Sequence, residues 1–206
     1  MQQIKNIIFD LGGVIINLDI PATANAFQQL AKKYGNNDYS PNVEHPVFSE
    51  FEVGAITEQD FRNTLKTYIN LMVSDNEIDT AWNAMLLDIP AERLELLLLL
   101  KNKYNTYLFS NTNAIHYTAF NQILLNAHGY STLDTFFHKA YYSHIAKVRK
   151  PNVEAFQLIL DENNLLAQET LFLDDTQMHL DGAAKLGIQT QQVSNKNTIH
   201  DILKFF

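Results

Sequence analysis

The sequence predicts an α/β protein whose core is a doubly wound parallel sheet. From Pro90 onward, short strand patterns alternate with helical patterns, as expected when each strand is joined to the next by a helix. An earlier apolar segment rich in β-branched residues, 4–10, precedes a long stretch that is mainly helical in pattern. We therefore expect a core formed by residues 1–16 and 89–206, with a small helical cap at 17–88 inserted after the first strand.

Three helices are predicted in the cap. Pro21 suits the first turn of the first helix, and Gly35 suits its end. Capping-box spacing, in which a Ser or Thr is followed three residues later by an acidic residue, occurs at 57–60 and 74–77. The prolines and polar residues of 35–46 are typical of a loop. The predicted cap helices cover 21–34, 58–70 and 76–87.

The remainder of the chain predicts four strands that alternate with helices. The strands are short, and three of them lead into polar residues. A last helix closes the chain. The predicted helices are 91–103, 113–127, 152–163 and 178–186, and the predicted strands are 106–110, 139–143, 170–175 and 188–193.

Composition limits the classes of function. The chain of 206 residues has 15 basic and 23 acidic residues, a net charge of −8, which is not the clustered positive charge of a nucleic-acid binder. It has no cysteine, which excludes disulfides and thiolate metal sites and fits a reducing cytoplasm. Its most apolar window, 94–100, is far shorter than the roughly 20 residues of a membrane span. We expect a soluble cytoplasmic protein with no nucleic-acid or membrane partner.

Polar side chains stand where the predicted parallel strands end. The first strand ends in Asp10, the second in Ser110, and the fourth in Asp174 and Asp175, while the third is followed by the sequence KVRKP, which contains Lys150. In an open α/β sheet, ligands bind outside the carboxyl ends of the strands. Three carboxylates, a hydroxyl and a lysine are therefore expected at one edge of the sheet.

Each of these residues also has a purely structural interpretation. A strand-end aspartate often caps a helix, the sequence SNT at Ser110 often forms a turn, and the sequence RKP at Lys150 often forms a solvated turn. The coincidence at four strand ends favours a functional site over four independent structural roles.

These residue types suit phosphoryl transfer. Acidic groups without cysteine or clustered histidine favour Mg²⁺, which prefers oxygen ligands. A carboxylate can be the nucleophile that accepts a phosphoryl group, hydroxyl and backbone N–H groups hold phosphate oxygens, and a lysine stabilises the transferring charge.

On these motifs the sequence resembles the haloacid dehalogenase-like hydrolases, most of which are phosphatases. Asp10 in FDLGGV, Ser110 in LFSNTN, Lys150 in RKP and the acidic pair in FLDDTQMHLDGA match the four motifs of this family in order. The segments FEVGAIT (51–57) and SNTNAIH (110–116) resemble the branch that includes bacterial α-D-glucose-1-phosphate phosphatase. That branch has a helical cap between the first two motifs.

The resemblance implies a catalytic set. Asp10 would attack phosphorus to form an aspartyl phosphate, and Lys150 would bridge Asp10 and the phosphoryl oxygens. Ser110 and Asn111 would hold the phosphate. The implied substrate is a small phosphorylated metabolite, and we expect a sugar phosphate.

The resemblance also implies a magnesium site. Its ligands would be the second oxygen of Asp10, the backbone carbonyl of Gly12, a carboxylate oxygen of Asp175, and Asp174 either directly or through water. Gly13 extends the glycine pair that allows the chain to turn tightly beside metal and phosphate.

Gly12 departs from the pattern of most phosphatases in the superfamily, which have an aspartate there as general acid and base. Glycine cannot transfer a proton, and loss of a positioned acid costs about 10²–10⁴-fold. Two alternatives remain open: a metal-independent 2-haloacid dehalogenase, which needs no such acid, and a phosphoryl-ligand binding domain with low activity. The pair Asp174 and Asp175 favours the phosphatase, because adjacent strand-end carboxylates call for a cation.

Some other polar residues have weaker claims to the site. His116 could face the cleft or lie on a helix surface, and His179 could orient the acidic pair. Glu52 and Thr57 flank a cap turn that could approach the site, although helix capping explains Thr57.

Overall fold

The computed structural model describes residues 3–37, 45–69 and 72–204. Five strands form one parallel sheet in the order β3-β2-β1-β4-β5, which confirms the predicted fold class. Among the described residues, no helix is long and apolar enough to cross a membrane. The strands are β1 Asn6–Phe9, β2 Asn105–Ser110, β3 Lys139–Tyr142, β4 Thr170–Asp174 and β5 Gln189–Gln192.

The central strand β1 sets the level of the functional edge. Phe9 is paired with Leu108 of β2 and with Leu173 of β4. The amide of Asp10 then donates to the carbonyl of Leu173 at 2.8 Å, so Asp10 leaves the sheet still attached to β4. Asp10 and Asp174 therefore emerge side by side at the carboxyl edge.

Helices cover both faces of the sheet. Ile7 and Phe9 pack with residues of α5, α6 and α10, whereas Ile8 packs with residues of α8 and α9, as the alternation along a strand requires. This burial on both faces explains the uninterrupted apolar run of β1. The core helices are α5 Ala91–Lys101, α6 Ala114–His128, α7 Ser143–Ala146, α8 Val153–Glu162, α9 Gln177–Ala184 and α10 Ile199–Leu203.

Helices α1–α4 lie between β1 and α5 and share a separate apolar cluster. Phe51 and Phe61 stack at 4.2 Å between ring centroids, and Trp82 packs against Phe61 at 5.0 Å. A short 3₁₀ turn, Asn83–Met85, follows the last of these helices. Their bounds are α1 Ile20–Lys33, α2 Pro46–Glu52, α3 Glu58–Ile69 and α4 Asp75–Trp82.

The two chain segments that enter and leave this helical region are paired with each other. The amide of Asn17 donates to the carbonyl of Asp88, and the amide of Leu87 donates to the carbonyl of Asn17. The Asn17 side chain adds a hydrogen bond to Asp88 at 2.9 Å. The division into a core (1–16 and 89–206) and a cap (17–88) stays a prediction, and this pairing lies at its boundary.

Many of the sequence-based element bounds differ from the structure by one or two residues, and three differences are larger or change the type of an element. Helix α2 was not predicted, and its first residue, Pro46, falls at the end of the loop assigned to 35–46, of which 38–44 lies outside the described residues. The predicted helix 76–87 ends as an α-helix at Trp82. The predicted strand 139–143 ends at Tyr142, because Ser143 begins the short helix α7.

Candidate active site

Lys150 joins two carboxylates at the centre of the site. Its side chain has no exposed surface, and Nζ donates to Asp10 Oδ1 at 2.6 Å, to Asp174 Oδ2 at 2.8 Å and to the carbonyl of Phe109 at 2.9 Å. An ammonium group has three N–H donors, so each is used. Lys150 is therefore fixed in position against both strand-end aspartates.

Asn111 holds the backbone of Lys150. Its side-chain N–H donates to the carbonyl of Lys150, and its side-chain oxygen accepts from the amide of Lys150, both at 2.9 Å. Ser110 lies directly before it, buried at the end of β2. The expected phosphate contacts of Ser110 and Asn111 stay predictions. The side-chain amide of Asn111 also positions Lys150 through the two hydrogen bonds to its backbone.

Burial and neighbouring charges shift the pKa values of the ionisable groups at the centre of the site. Burial raises the pKa of Asp10 to about 6, Lys150 opposes this rise, and the neighbouring charge of Asp174 adds to it. Burial also acts to raise the pKa of Asp174, but the hydrogen bond from His179 and the charge of Lys150 hold it below its usual value. The two carboxylates hold the pKa of Lys150 above its usual value despite its burial, so this lysine is charged.

Asp174 is surrounded by donors. Its Oδ1 accepts from the amide of Thr176 at 2.8 Å and lies 3.0 Å from Nδ1 of His179, while its Oδ2 accepts from Lys150. His179 therefore contacts Asp174, one member of the acidic pair that it was expected to orient. Because both oxygens of Asp174 already accept hydrogen bonds, Asp174 is better placed to contact a metal through a water molecule than to bind it directly.

Three carboxylates are close enough to share a cation. Asp10, Asp174 and Asp175 each offer an oxygen, and these atoms lie within 4.8 Å of one another. Oxygen ligands without nitrogen or sulfur suit Mg²⁺. Asp175 is exposed, and its Oδ1 accepts from the hydroxyl of Thr176 at 3.0 Å. The donor set therefore fits the predicted ion, and the assignment of individual ligands stays a prediction.

A side chain at Gly12 and a side chain at Gly13 would meet different obstacles. Gly13 has φ +68°, and a Cβ there would lie 2.5 Å from Asp175 Oδ2, so a side chain would collide with that carboxylate. The φ of Gly12 is not positive, and a Cβ there would lie 2.7 Å from Cδ1 of Leu18. Leu18 therefore fills the space beside the position where an acid is missing.

The helical region contacts the site through Glu52 at the end of α2. Its Oε2 lies 2.9 Å from Nη1 of Arg149, the residue before Lys150. Glu52 was expected near a turn that could approach the site, and no role was expected for Arg149. The only signal for Arg149 was its place within the KVRKP segment, because a pair so distant in sequence leaves no local pattern.

His116 lies at the junction between α4 and α6. It is buried, its ring stacks on Trp82 at 4.9 Å between centroids, and its Nε2 lies 3.1 Å from the carbonyl of Trp82. Burial lowers the pKa of His116 to about 4, so the ring is neutral. These contacts give His116 a packing role between the two helices.

The site and the fold together define a class of enzyme. The family model described as haloacid dehalogenase-like hydrolase matches residues 4–187, and the chain belongs to that family. The family expected from the four motifs is therefore confirmed.

Known relatives resemble the chain over nearly its full length. A D-ribitol-5-phosphate phosphatase from Bacteroides thetaiotaomicron is 28% identical over 94% of this chain and 93% of the relative. The structure of a HAD family enzyme from the same organism, in complex with magnesium and inorganic phosphate, is 34% identical with a TM-score of 0.86, covering 97% of this chain and 99% of that one. A predicted HAD-like family hydrolase from Porphyromonas gingivalis is 28% identical with a TM-score of 0.86, covering 99% and 98%.

Proposed function

We propose that the protein is a Mg²⁺-dependent phosphatase that hydrolyses a small sugar or polyol phosphate through an aspartyl phosphate on Asp10. The observation that carries this proposal is the buried Lys150, which bonds Asp10 and Asp174 at once, with Asp175 close enough to complete an oxygen site. The phosphatase relative and the magnesium and phosphate in a similar enzyme support it.

Asp10 is the nucleophile in this reaction. A carboxylate oxygen of Asp10 forms a bond to phosphorus as the bond between phosphorus and the leaving-group oxygen breaks, and that oxygen takes up a proton. Water then attacks the phosphorus, the bond to Asp10 breaks, and inorganic phosphate leaves. Two half-reactions replace one difficult displacement.

Lys150 stabilises the charge that develops during both half-reactions. Because Asn111 fixes its backbone and Asp174 takes one of its donors, the ammonium group needs no reorganisation when phosphate arrives. A magnesium ion held by Asp10, Asp175 and the carbonyl of Gly12, with Asp174 through water, would neutralise phosphoryl oxygens as a Lewis acid.

The acidic pair separates this proposal from the dehalogenase alternative. Displacement of halide needs no cation, so a dehalogenase gains nothing from Asp175 beside Asp174 and Asp10. The third alternative, a binding domain with low activity, would keep the same cation site, and only a measurement of turnover distinguishes it from the enzyme.

The test is phosphate release from D-ribitol 5-phosphate, α-D-glucose 1-phosphate and p-nitrophenyl phosphate, with Mg²⁺ and with EDTA. We expect turnover that EDTA abolishes and added Mg²⁺ restores, and the variant Asp10→Asn is the inactive control. EDTA-insensitive release of chloride from 2-chloropropionate would establish the dehalogenase. Tight Mg²⁺ binding without turnover of any of the three phosphate esters would establish the binding domain.

A further inference from the structure

The proposed phosphatase needs a proton donor that the first motif does not supply. An alkoxide is a poor leaving group, so the oxygen that departs from phosphorus must be protonated. Gly12 has no side chain, and Leu18 fills the adjacent space with an apolar group. An acid for the leaving group must therefore come from another element that faces the site.

Glu52 is presented to the core by a set of contacts around one turn. The hydroxyl of Ser143 lies 2.6 Å from the carbonyl of Glu52, and Lys147 Nζ donates to the carbonyl of Gly54. The Glu52 carboxylate itself contacts Arg149. Because Ser143, Lys147 and Arg149 all belong to the segment that leads into Lys150, the turn is attached next to the residue that contacts the nucleophile.

The Glu52 carboxyl is partly buried next to the segment that carries Lys150. Its side chain is 22% exposed, and the charged groups that act on it are Arg149, Lys150 and His179. Lys150 contacts Asp10 and His179 contacts Asp174, so the charges that act on Glu52 include the partners of both central aspartates. Burial raises the pKa of Glu52 more than the three positive partners lower it, which favours a carboxyl group that can hold a proton.

We propose that Glu52 is the catalytic acid and base of this phosphatase, in place of the acid missing at Gly12. The Glu52 carboxyl gives its proton to the leaving-group oxygen as the bond from that oxygen to phosphorus breaks. The resulting carboxylate then takes a proton from the water that attacks the aspartyl phosphate. The inference rests on the proposed function, and Arg149 acts as a positioning residue that holds one oxygen of Glu52.

His179 is the other proton carrier near the site. Its Nδ1 lies within 3.1 Å of both oxygens of Asp174, an arrangement that orients the aspartate towards Lys150 and Thr176. We assign His179 to the positioning of Asp174, so its substitution should affect all substrates alike.

The test compares leaving groups in the variant Glu52→Gln. p-Nitrophenolate leaves as a stable anion and gains little from an acid, whereas ribitol leaves as a basic alkoxide. We expect kcat for D-ribitol 5-phosphate to fall about 10²–10⁴-fold and kcat for p-nitrophenyl phosphate to fall much less. Glu50→Gln is the matched control, because Glu50 is exposed on the same helix, and both of its rates should stay unchanged.

A second measurement does not depend on any variant being folded. In the wild-type enzyme, kcat for D-ribitol 5-phosphate should decrease at high pH relative to kcat for p-nitrophenyl phosphate, as the acid loses its proton. Glu52→Gln should remove this difference between the two pH profiles. Parallel wild-type profiles would overturn the inference.

Two further outcomes would also overturn it. An equal loss on both substrates in Glu52→Gln would show a structural role for the pair with Arg149. A change in the leaving-group ratio in His179→Asn but not in Glu52→Gln would move the proton transfer to the histidine. In either case Mg²⁺-dependent hydrolysis of p-nitrophenyl phosphate by the wild type would leave the proposed function intact, whereas its absence would reject that function itself.

Discussion

Substitution of Gly13 by alanine should damage the cation site more than it damages the fold. Gly13 has φ +68°, and a Cβ would lie 2.5 Å from Oδ2 and 3.1 Å from Cγ of Asp175. A left-handed alanine costs about 1–2 kcal/mol. The close contact would also displace Asp175, a predicted metal ligand. Disturbance of a residue that positions a metal ligand lowers metal affinity or activity by about 10–100-fold.

Gly129→Ala separates these two effects. Gly129 has φ +78° at the end of α6, and a Cβ there meets no atom within 4 Å. It should therefore lose the same 1–2 kcal/mol of unfolding free energy, roughly 2–8 °C in Tm for a chain of this length, through backbone strain alone. Because α6 begins beside the site and is 15 residues long, Gly129 lies about 22 Å of helix away from it.

The assays are urea unfolding in EDTA, Mg²⁺ titration by calorimetry, and phosphate release at saturating and limiting Mg²⁺. Both variants should lose similar stability, and only Gly13→Ala should need about 10–100-fold more Mg²⁺ for half-maximal activity. Wild-type Mg²⁺ dependence in a folded Gly13→Ala variant would refute the assignment of Asp175 as a ligand beside Gly13. An equal loss of Mg²⁺ affinity in Gly129→Ala would refute the local explanation.

Three further outcomes follow from the central aspartates and their lysine. Asp10→Asn should abolish phosphate release while circular dichroism shows an intact fold, and near-wild-type release from the purified variant would reject the nucleophile. Lys150→Met should lower the free energy of unfolding in EDTA by about 3–5 kcal/mol, because Asp10 and Asp174 lose a buried partner, and a loss under 1 kcal/mol in urea titrations would contradict this. The pKa of Asp10 is higher in the folded protein (about 6) than its ordinary value of 3.8, so the folded state binds this proton more tightly and the contribution of Asp10 to wild-type stability decreases as pH rises between these values. Asp10→Asn does not titrate there, so the stability difference should shift in favour of the variant over that pH range in EDTA, and a constant difference would contradict the pKa.

The strand ends could be predicted because each is specified locally. Asp10 and Asp174 follow fully buried apolar runs, and a parallel sheet brings such ends to one edge whatever the chain does between them. The position of Lys150 could be predicted in the same way, since Lys150 follows the third strand and the short helix after it. The order of the strands in the sheet was not needed for this prediction, because both neighbours of β1 contribute to the site.

Helix α2 could not be predicted in the same way. It has only seven residues, too few for a helical period to stand out, and its first turn is capped by the Nδ1 of His45, which accepts from the amide of Val47 at 3.1 Å. Histidine is not among the usual capping residues. Because this helix could not be predicted, the contacts of its last residue, Glu52, could not be predicted either.

The side-chain contacts between the helical region and the core also could not be predicted from sequence. Trp82 is the last residue of α4, and its ring stacks on His116 while its Nε1 donates to Asn113 at 3.3 Å. Glu52 and Arg149 likewise belong to elements that meet only after folding. Sequence periodicity reports which side of an element is buried, and it carries no information on the residue that lies opposite.

The charges at the carboxyl edge explain why the site requires a cation. Asp10, Asp174 and Asp175 contribute three negative charges and Lys150 one positive charge, so the four side chains sum to −2 when all are ionised. In the free protein, burial raises the pKa of Asp10 to about 6 and the neighbouring charge of Asp174 adds to this rise, so part of the excess is relieved by protonation at mildly acidic pH. A protonated Asp10 cannot attack phosphorus. A divalent cation beside these carboxylates would bring the sum to zero and lower the pKa of Asp10, which favours the ionised nucleophile, whereas a second lysine would compete for the oxygens that the substrate needs.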